Sequence, residues 1–519
     1  MEPDHVTLMP VDSDENVRML KEFRKILETT RGPESSMKLL VTEGGYQQLT
    51  ASGTALLSRL ELQNPILHCI SQVAGGLADH GLYLGVVVSH LLELHWGSNS
   101  HIGKQNLSKI INILIKTFQE LLCSDLVCRK VDFSSIHSFL PLVRTILTSK
   151  PNVLFGGVDI DKVCVQIVKV FLNCVDEHSG SVSRVNVRVE DGGIGVISYN
   201  GLIYQITEDY NLKIIEQIAD EIRILVFTFK LEDACNDSLT SEVSQIILIL
   251  DVAIASGVNL VACQKTVAPE IKLYLMRKKV LLLDRMGTDL ISMLVQISQS
   301  FPISHLHIEK SDVPKFIGNL STAKYVQFNE SDYVLLQSND AAVGTLLLQT
   351  MSLAGTDHVK ALVQQAINSL RSLAIHPILT FGGGCLEVWL TAQISLLKQK
   401  HVRDKEFCRV AQWMQKALLS TCNAEAMDSV YHHGWREGRT SCCCGHVTKD
   451  QMIAVGSQLI TLSEVTCLTQ STLSPPQPTT SSLKAHVLVD NHQQKLNVIL
   501  SALETFSNLN EIGLILIKN

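Results

Sequence analysis

Charge is scarce in this chain. Asp, Glu, Lys and Arg make up 18% of its 519 residues, below the ~25% of ordinary globular chains. Apolar residues reach 46%, so much surface must be buried in cores or against partners. No run of Lys or Arg appears, and the net charge of −7 gives no pull toward nucleic acid or anionic lipid. No uninterrupted apolar stretch reaches membrane-spanning length. The most apolar long window, residues 245–263, is broken by Asp251 and reads as a buried helix followed by a strand. The opening Met1-Glu2-Pro3-Asp4-His5 is acidic and has no apolar centre, so it does not read as a signal peptide. Cysteine is not scarce, at 14 residues, and without a secretion signal these read as reduced thiols of a soluble cytoplasmic protein. There is no internal repeat. A phosphate loop is missing too: Gly97 and Gly103 are separated by five residues rather than four, and Gln105 stands where Ser or Thr must touch magnesium.

What is present is a change of pattern along the chain. Helical periodicity dominates residues 15–147, with turns at Gly44-Gly45 and at residues 97–103. A helix is expected over residues 158–175 and a strand over 185–189. Between 196 and 348 short β-rich runs alternate with helices: strands at 225–229, 258–263 and 280–283, with a helix at 269–278 between the last two. That order implies a partly parallel sheet. Helices return from Val359, residues 463–482 form a low-complexity, disordered-type loop around Ser474-Pro475-Pro476-Gln477-Pro478, and a last strand is expected at 513–517. An α-rich start, an α/β middle and an α-rich end suggest an inserted α+β multidomain architecture.

The most informative stretch is Phe381-Gly382-Gly383-Gly384-Cys385-Leu386-Glu387 and the helix before it. Val359, Leu362, Val363, Ala366, Ile367, Leu370 and Leu373 recur at helical spacing, with Thr356 or Asp357 as the expected cap and Pro377 as the stop. Three glycines let another group approach the backbone closely; taken alone, they read equally as a flexible loop. Together with Ala366, Ile367, Leu370, Arg371 and Glu387, the Gly382–Gly384 run resembles the nucleotide-site motif of a group II chaperonin subunit of the TCP-1 family. Residues 31–38 are similar to that family's Gly-Pro loop, residues 50–56 to its Thr-Asn-Asp-Gly loop, Asn64-Pro65-Ile66 to its His-Pro-Ala, and residues 259–265 to a strand of its apical domain. Residues 131–135 and 142–151 resemble a divergent vertebrate branch of the family, and the resemblance covers essentially the whole chain. It implies a helical equatorial domain (1–130 and 377–519), a small intermediate domain (131–195 and 351–376) and an α/β apical, client-binding domain (196–350). Only residues 232–242 stand where the family has a long helical lid, so a lid contribution is not expected.

Phosphoryl transfer needs a phosphate cradle, metal-binding carboxylates and a group that orients water. On the resemblance, the four charged positions of the site are substituted: His80 and Gln365 stand for two Asp residues, Ser52 for a third, and Glu34 for a Lys. Imidazole or amide cannot do the work of carboxylate on a hard cation. Sliding the register by one recruits Asp79 but loses the glycine match at Gly81. A degenerate nucleotide cradle of Gly32, Pro33, Gly53, Gly81, Gly382, Gly383 and Gly384 is left, with ATP as the only cofactor in question, no metal and no catalytic residue. Cys442-Cys443-Cys444 with His432, His433 and His446 reads either as a structural metal site or as an exposed, oxidisable loop; adjacent cysteines suit a metal poorly. Cys263 sits in an apolar strand and reads as a core thiol rather than a nucleophile, and Cys385 carries no stronger signal.

The resemblance implies a non-hydrolysing assembly factor that holds subunits of the Bardet–Biedl complex of ciliary traffic. Its partners would be related chaperonin-like subunits and the cytosolic chaperonin ring, near the centrosome and ciliary basal body. The alternative is an active ATP-dependent folding subunit that uses Asp79.

Overall fold

The computed structural model describes residues 6–31, 35–41, 45, 47–50, 52–60, 62–77, 80–98, 102–124, 127–149, 159–175, 184–191, 195–206, 214–215, 221–232, 242–306, 308–328, 331–339, 343–350, 353–422 and 489–518. The chain divides into two compact units. One combines residues 1–164 with 354–519, and the other comprises residues 165–353.

The first unit opens with β1 (Val6–Pro10) and α1 (Asp14–Glu28). Ser13 caps α1 by accepting the Asn16 amide, and Asp14 and Glu15 complement the positive end of the helix dipole. Leu20, Phe23 and Leu27 form its buried stripe. The following segment departs from the helical expectation. A hairpin, β2 (Lys38–Val41) with β3 (Gln47–Thr50), interrupts it. Four-residue strands are too short to impose a readable period, and Gly45 at φ +76° accommodates the reversal. Then come α2 (Gly53–Arg59), α3 (Pro65–Gly76), α4 (Gly81–Trp96) and α5 (Lys104–Leu122). Helix α4 is apolar almost all round, with Leu84, Val86, Val88, Leu91 and Leu92 buried, because neighbours cover every side of it. Arg24 on α1 reaches Glu93 on α4 at 2.8 Å and ties the two helices together. After β4 (Arg129–Lys130) and α6 (Leu140–Thr148), α7 (Ile160–Asn173) leads into the second unit.

The second unit contains β5 (Val185–Asp191), β6 (Gly195–Asn200), β7 (Leu202–Gln205), β8 (Ile222–Phe227), α8 (Glu242–Ala255), β9 (Leu260–Cys263), α9 (Pro269–Arg277), β10 (Leu281–Leu283) and α10 (Gly287–Ser298). It closes with β11 (Gly318–Leu320), β12 (Thr322–Phe328), β13 (Ser331–Gln337) and β14 (Gly344–Thr350). The main sheet has the order β10-β9-β8-β11, parallel through its first three strands. Side-chain alternation divides it cleanly. Ile224, Val226, Leu260 and Leu281 pack toward Ile291 and Leu294 of α10, while Leu225, Phe227, Val261 and Leu282 pack toward Ile249 of α8 and Ile271 of α9. Two three-stranded sheets, β12-β13-β7 and β5-β14-β6, complete this unit.

The chain re-enters the first unit through α11 (Leu353–Ile375), β15 (Ile378–Phe381), α12 (Cys385–Lys400) and α13 (Lys405–Ser420), and finishes with β16 (Val489–Asn491), α14 (His492–Glu511) and β17 (Leu514–Lys518). Helix α11 begins at Leu353, so Thr356 and Asp357 lie within its first turns and do not cap it. Strand β17 pairs with β1, which was not foreseen. The core of this unit joins both ends of the chain: Leu20, Leu84 and Phe118 share one cluster with Leu390, Met414 and Phe506.

Candidate functional site

The glycine run is a turn between a strand and a helix of the first unit. Strand β15 lies between β4 and β16, in antiparallel register with both. Gly383 and Gly384 then take φ of +64° and +88°, a region side chains resist, and Gly384 stands at the N-cap of α12. Glu387 follows in the first turn of α12. Because β16 runs beside β15 and leads into α14, the start of α14 comes to the same place. There Lys495 sets its Nζ 2.6 Å from Glu387 Oε1 and 3.2 Å from Asp490 Oδ2. Nζ also lies 4.7 Å from the ring centre of Tyr83 on α4, and the guanidinium of Arg31 lies 5.1 Å from that same ring.

The pair is deeply buried, Lys495 and Glu387 being 8% and 1% exposed in their side chains. Burial alone would raise the Glu387 pKa, but the adjacent ammonium outweighs it and holds the carboxyl below its usual range. Burial likewise opposes charge on Lys495, and Glu387 and Asp490 together raise its pKa instead. Burial and then the charge of Glu387 push the Tyr83 hydroxyl well up and bring the Cys422 thiol to about 12. Cys422 is therefore a protonated donor, its Sγ lying 3.5 Å from the Gly384 carbonyl.

His80 stands at the N-cap of α4, with Nε2 3.3 Å from Gln494 Oε1, an oxygen that also accepts from Ser369 Oγ at 3.3 Å. Burial lowers the His80 pKa, and the Lys495 charge lowers it further. The imidazole is neutral at physiological pH. Gln365 is half-buried on α11, one turn before Ser369 and on the same helix face. Two of the cradle glycines have a packing reason of their own. A Cβ on Gly81 would lie 2.2 Å from the Ala74 carbonyl oxygen, and one on Gly53 would lie 2.2 Å from Leu82 Cγ. Ser52 caps α2 by accepting the Ala55 amide. Gly32, Pro33, Glu34 and Asp79 lie outside the described residues, as do the 432–446 cysteine–histidine cluster, the 463–482 loop and most of the 232–242 segment. Cys263 is fully buried and its thiol pKa is pushed up to about 11, which fits a core residue.

Sequence reasoning placed Glu387 in the motif but missed Arg31, Tyr83, Asp490, Gln494 and Lys495. An acid just before a helix with a lysine in its second turn is too common a pattern to single out. As for chemistry, imidazole and amide are poor ligands for magnesium, and the nearest buried carboxylate already holds an ammonium. Among the described residues no group of three His, Cys, Asp or Glu could hold a metal ion, and no helix is long and apolar enough to cross a membrane.

In the second unit, α8 and α9 lie side by side, with the Tyr274 hydroxyl donating to Asp251. Leu248, Leu273 and Met276 point outward from them, 46%, 51% and 38% exposed.

A helical unit assembled from both chain ends around a strand–triglycine–helix turn, with an α/β unit inserted in the middle, is a chaperonin arrangement. The model of the TCP-1/cpn60 chaperonin family matches residues 23–424, and the chain belongs to that family. Within it the chain is a divergent, group II chaperonin-like protein. It is 23% identical to "Molecular chaperone MKKS" of Mus musculus, over 96% of this chain and 95% of that protein. Against the Homo sapiens protein of the same description the figures are 25%, 84% and 83%. Thermosome subunit alpha of Sulfurisphaera tokodaii is 21% identical over 80% of each chain.

Proposed function

We propose that this chain is a chaperonin-like assembly factor that holds client subunits without hydrolysing ATP. The family resemblance supports the reading, since on it His80 and Gln365 stand where metal-binding carboxylates are called for, and so does Lys495, which engages the buried Glu387 beside the glycine turn. In this reading residues 1–130 with 377–519 are the equatorial domain, 131–195 with 351–376 the intermediate domain, and 196–350 the apical domain. The exposed Leu248, Leu273 and Met276 of α8 and α9 suit an apolar client segment. The β2–β3 hairpin and the β1–β17 pair are each two-stranded, and Leu39 and Val41 are 55% and 61% exposed on the former. Two-stranded ribbons are marginal alone. They suit docking to related chaperonin-like subunits and to the cytosolic chaperonin ring. The clients are subunits of the Bardet–Biedl complex, and the site of action is the cytoplasm at the centrosome and ciliary basal body.

The test is magnesium-dependent ATP turnover by the purified full chain and by D79A. Turnover at background in both is expected. Turnover in the wild-type chain that D79A abolishes would overturn the reading in favour of an active folding ATPase.

A further inference from the structure

The sheet that leads into the glycine turn, in strand order β16-β15-β4, has two unlike edges. At the β16 edge the Val489 amide donates to Thr145 Oγ1 of α6 at 2.9 Å, so that edge is covered. Among the described residues no strand pairs with the outer edge of β4. The Val131 amide donates to the Pro377 carbonyl at 2.9 Å, and Lys130 stands opposite Ile378 in the antiparallel register. Bonded and non-bonded pairs alternate along such a ladder, so the N–H and C=O of Lys130 point away from β15. The Ile378 amide is likewise not spent on β4, going to the His376 carbonyl at 2.7 Å. Arg129 and Lys130 are both exposed. The one acid between residues 127 and 136, Asp132, turns its carboxylate into its own turn, where it accepts from the Ser134 amide and hydroxyl at 2.9 and 2.7 Å. Just beyond, Phe133 and Ile136 are each 49% exposed, and Ile375, two residues before Pro377, is 73% exposed. The Val131–Pro377 bond brings these two segments to the same end of β4.

We propose that this edge is a docking strand, to which an extended segment of a partner protein, acidic at one end and apolar at the other, adds as a fourth strand. The backbone of the segment bonds the outward N–H and C=O of Lys130. Its carboxylates lie against Arg129 and Lys130, and its bulky side chains cover Phe133, Ile136 and Ile375. At ~3.3 Å per residue the charges and the apolar patch are about 10–13 Å apart, which sets the carboxylates and apolar groups of the segment three or four residues apart. Main-chain bonds supply affinity in such additions, and side chains choose the partner. Lysine on an open edge ordinarily blunts indiscriminate pairing. The charges that repel a basic strand attract an acidic one, so this edge selects among strands. Protection alone needs only the charge, whereas three large apolar side chains gathered at its end ask for a cover. The surface belongs to the first unit, while α8 and α9 belong to the second. It needs no nucleotide, and it stands whether or not the chain hydrolyses ATP.

The experiment is fluorescence anisotropy of the full-length chain with two labelled, end-capped eight-residue peptides. One carries two glutamates ahead of an alternating valine–threonine segment. The other has the same residues in reverse order, since an edge accepts either strand direction. One of the two should bind with a Kd of about 10–100 µM, as suits a small interface. Glutamine in place of both glutamates should weaken it about fivefold, and K130E and F133S/I375S about tenfold each. N-methylation of one alternate set of peptide amides should abolish binding, and N-methylation of the other set should leave it, because only one edge of an added strand is bonded. The substituted side chains are exposed, so the variants should melt with wild type. If one misfolds, the N-methylated peptides still decide on the wild-type chain. Binding of neither peptide, or the same response to both N-methylated sets, would overturn the proposal. So would binding that L248S/L273S removes and K130E does not, which would seat the peptide on α8 and α9.

Discussion

Replacing Gly81 by alanine separates a packing role for this glycine from a nucleotide role. The added Cβ would sit 2.2 Å from the Ala74 carbonyl oxygen, 2.8 Å from its carbon and 3.2 Å from Leu57 Cδ1. Ordinary contact is about 3.4 Å or more, so α3 and α4 must separate by roughly 1 Å, and backbone atoms cannot turn aside as a side chain would. Overpacking of this kind costs about 1–3 kcal/mol, against which alanine in place of glycine in a helix returns up to ~1 kcal/mol. The net loss of about 0–3 kcal/mol corresponds, for a unit of this size, to a melting-point drop of up to about 4 °C. Gly103 is the control, since a Cβ there meets nothing within 4 Å and its φ of −61° suits alanine. Gly103 is the N-cap of α5, so G103A should melt within ~1 °C of wild type, the entropy removed from the unfolded chain being offset by alanine's poorer capping. Thermal unfolding of full-length G81A, G103A and wild type, each with and without magnesium–ADP, reads the outcome. If G81A melts with wild type, the close approach of α3 and α4 is refuted. If its loss appears only when nucleotide is present, the glycine serves the nucleotide and the packing account fails.

Acid lability is expected from two half-buried histidines. Burial, followed by the charges of Arg24 and Lys416, lowers His90 to about 3, and His80 is lowered too. The unfolded chain then binds protons that the folded chain refuses. Stability is therefore lost as pH falls below ~6.5 and continues to fall toward 3; H90Q should flatten a melting profile taken from pH 7.5 to 5, and an unaltered slope would count against the burial of His90. The exposed hairpin residues give a test of assembly: L39D/V41D should keep the wild-type melting point yet lose co-purification with related chaperonin subunits. Purified alone, the wild-type chain should run as a monomer or aggregate in native mass measurements, and a monodisperse ring of this chain only would refute hetero-association.

Much of this molecule is written in its sequence because local physics writes it. The apolar stripe at Val359, Leu362, Val363, Ala366 and Ile367 becomes the buried face of α11, since one helical period suffices to show which side meets a core. The alternation of short apolar runs with helices between 225 and 283 becomes the parallel β8-β9-β10 ladder, because strands joined through helices have few other arrangements open to them. Three glycines before an apolar helix announce a turn with φ that other residues resist. The β2–β3 and β1–β17 pairings were hidden, since strands of four or five residues carry almost no period and find their partners only across the fold. Hidden too was the ion cluster. Arg31, Tyr83, Glu387, Asp490 and Lys495 are unremarkable singly and distant in sequence, and nothing local fixes which lysine meets which glutamate. Tertiary structure decided that, by laying β16 against β15 so that two helix starts converge, and by burying Glu387 and Lys495 where each charge is stable only because the other is there.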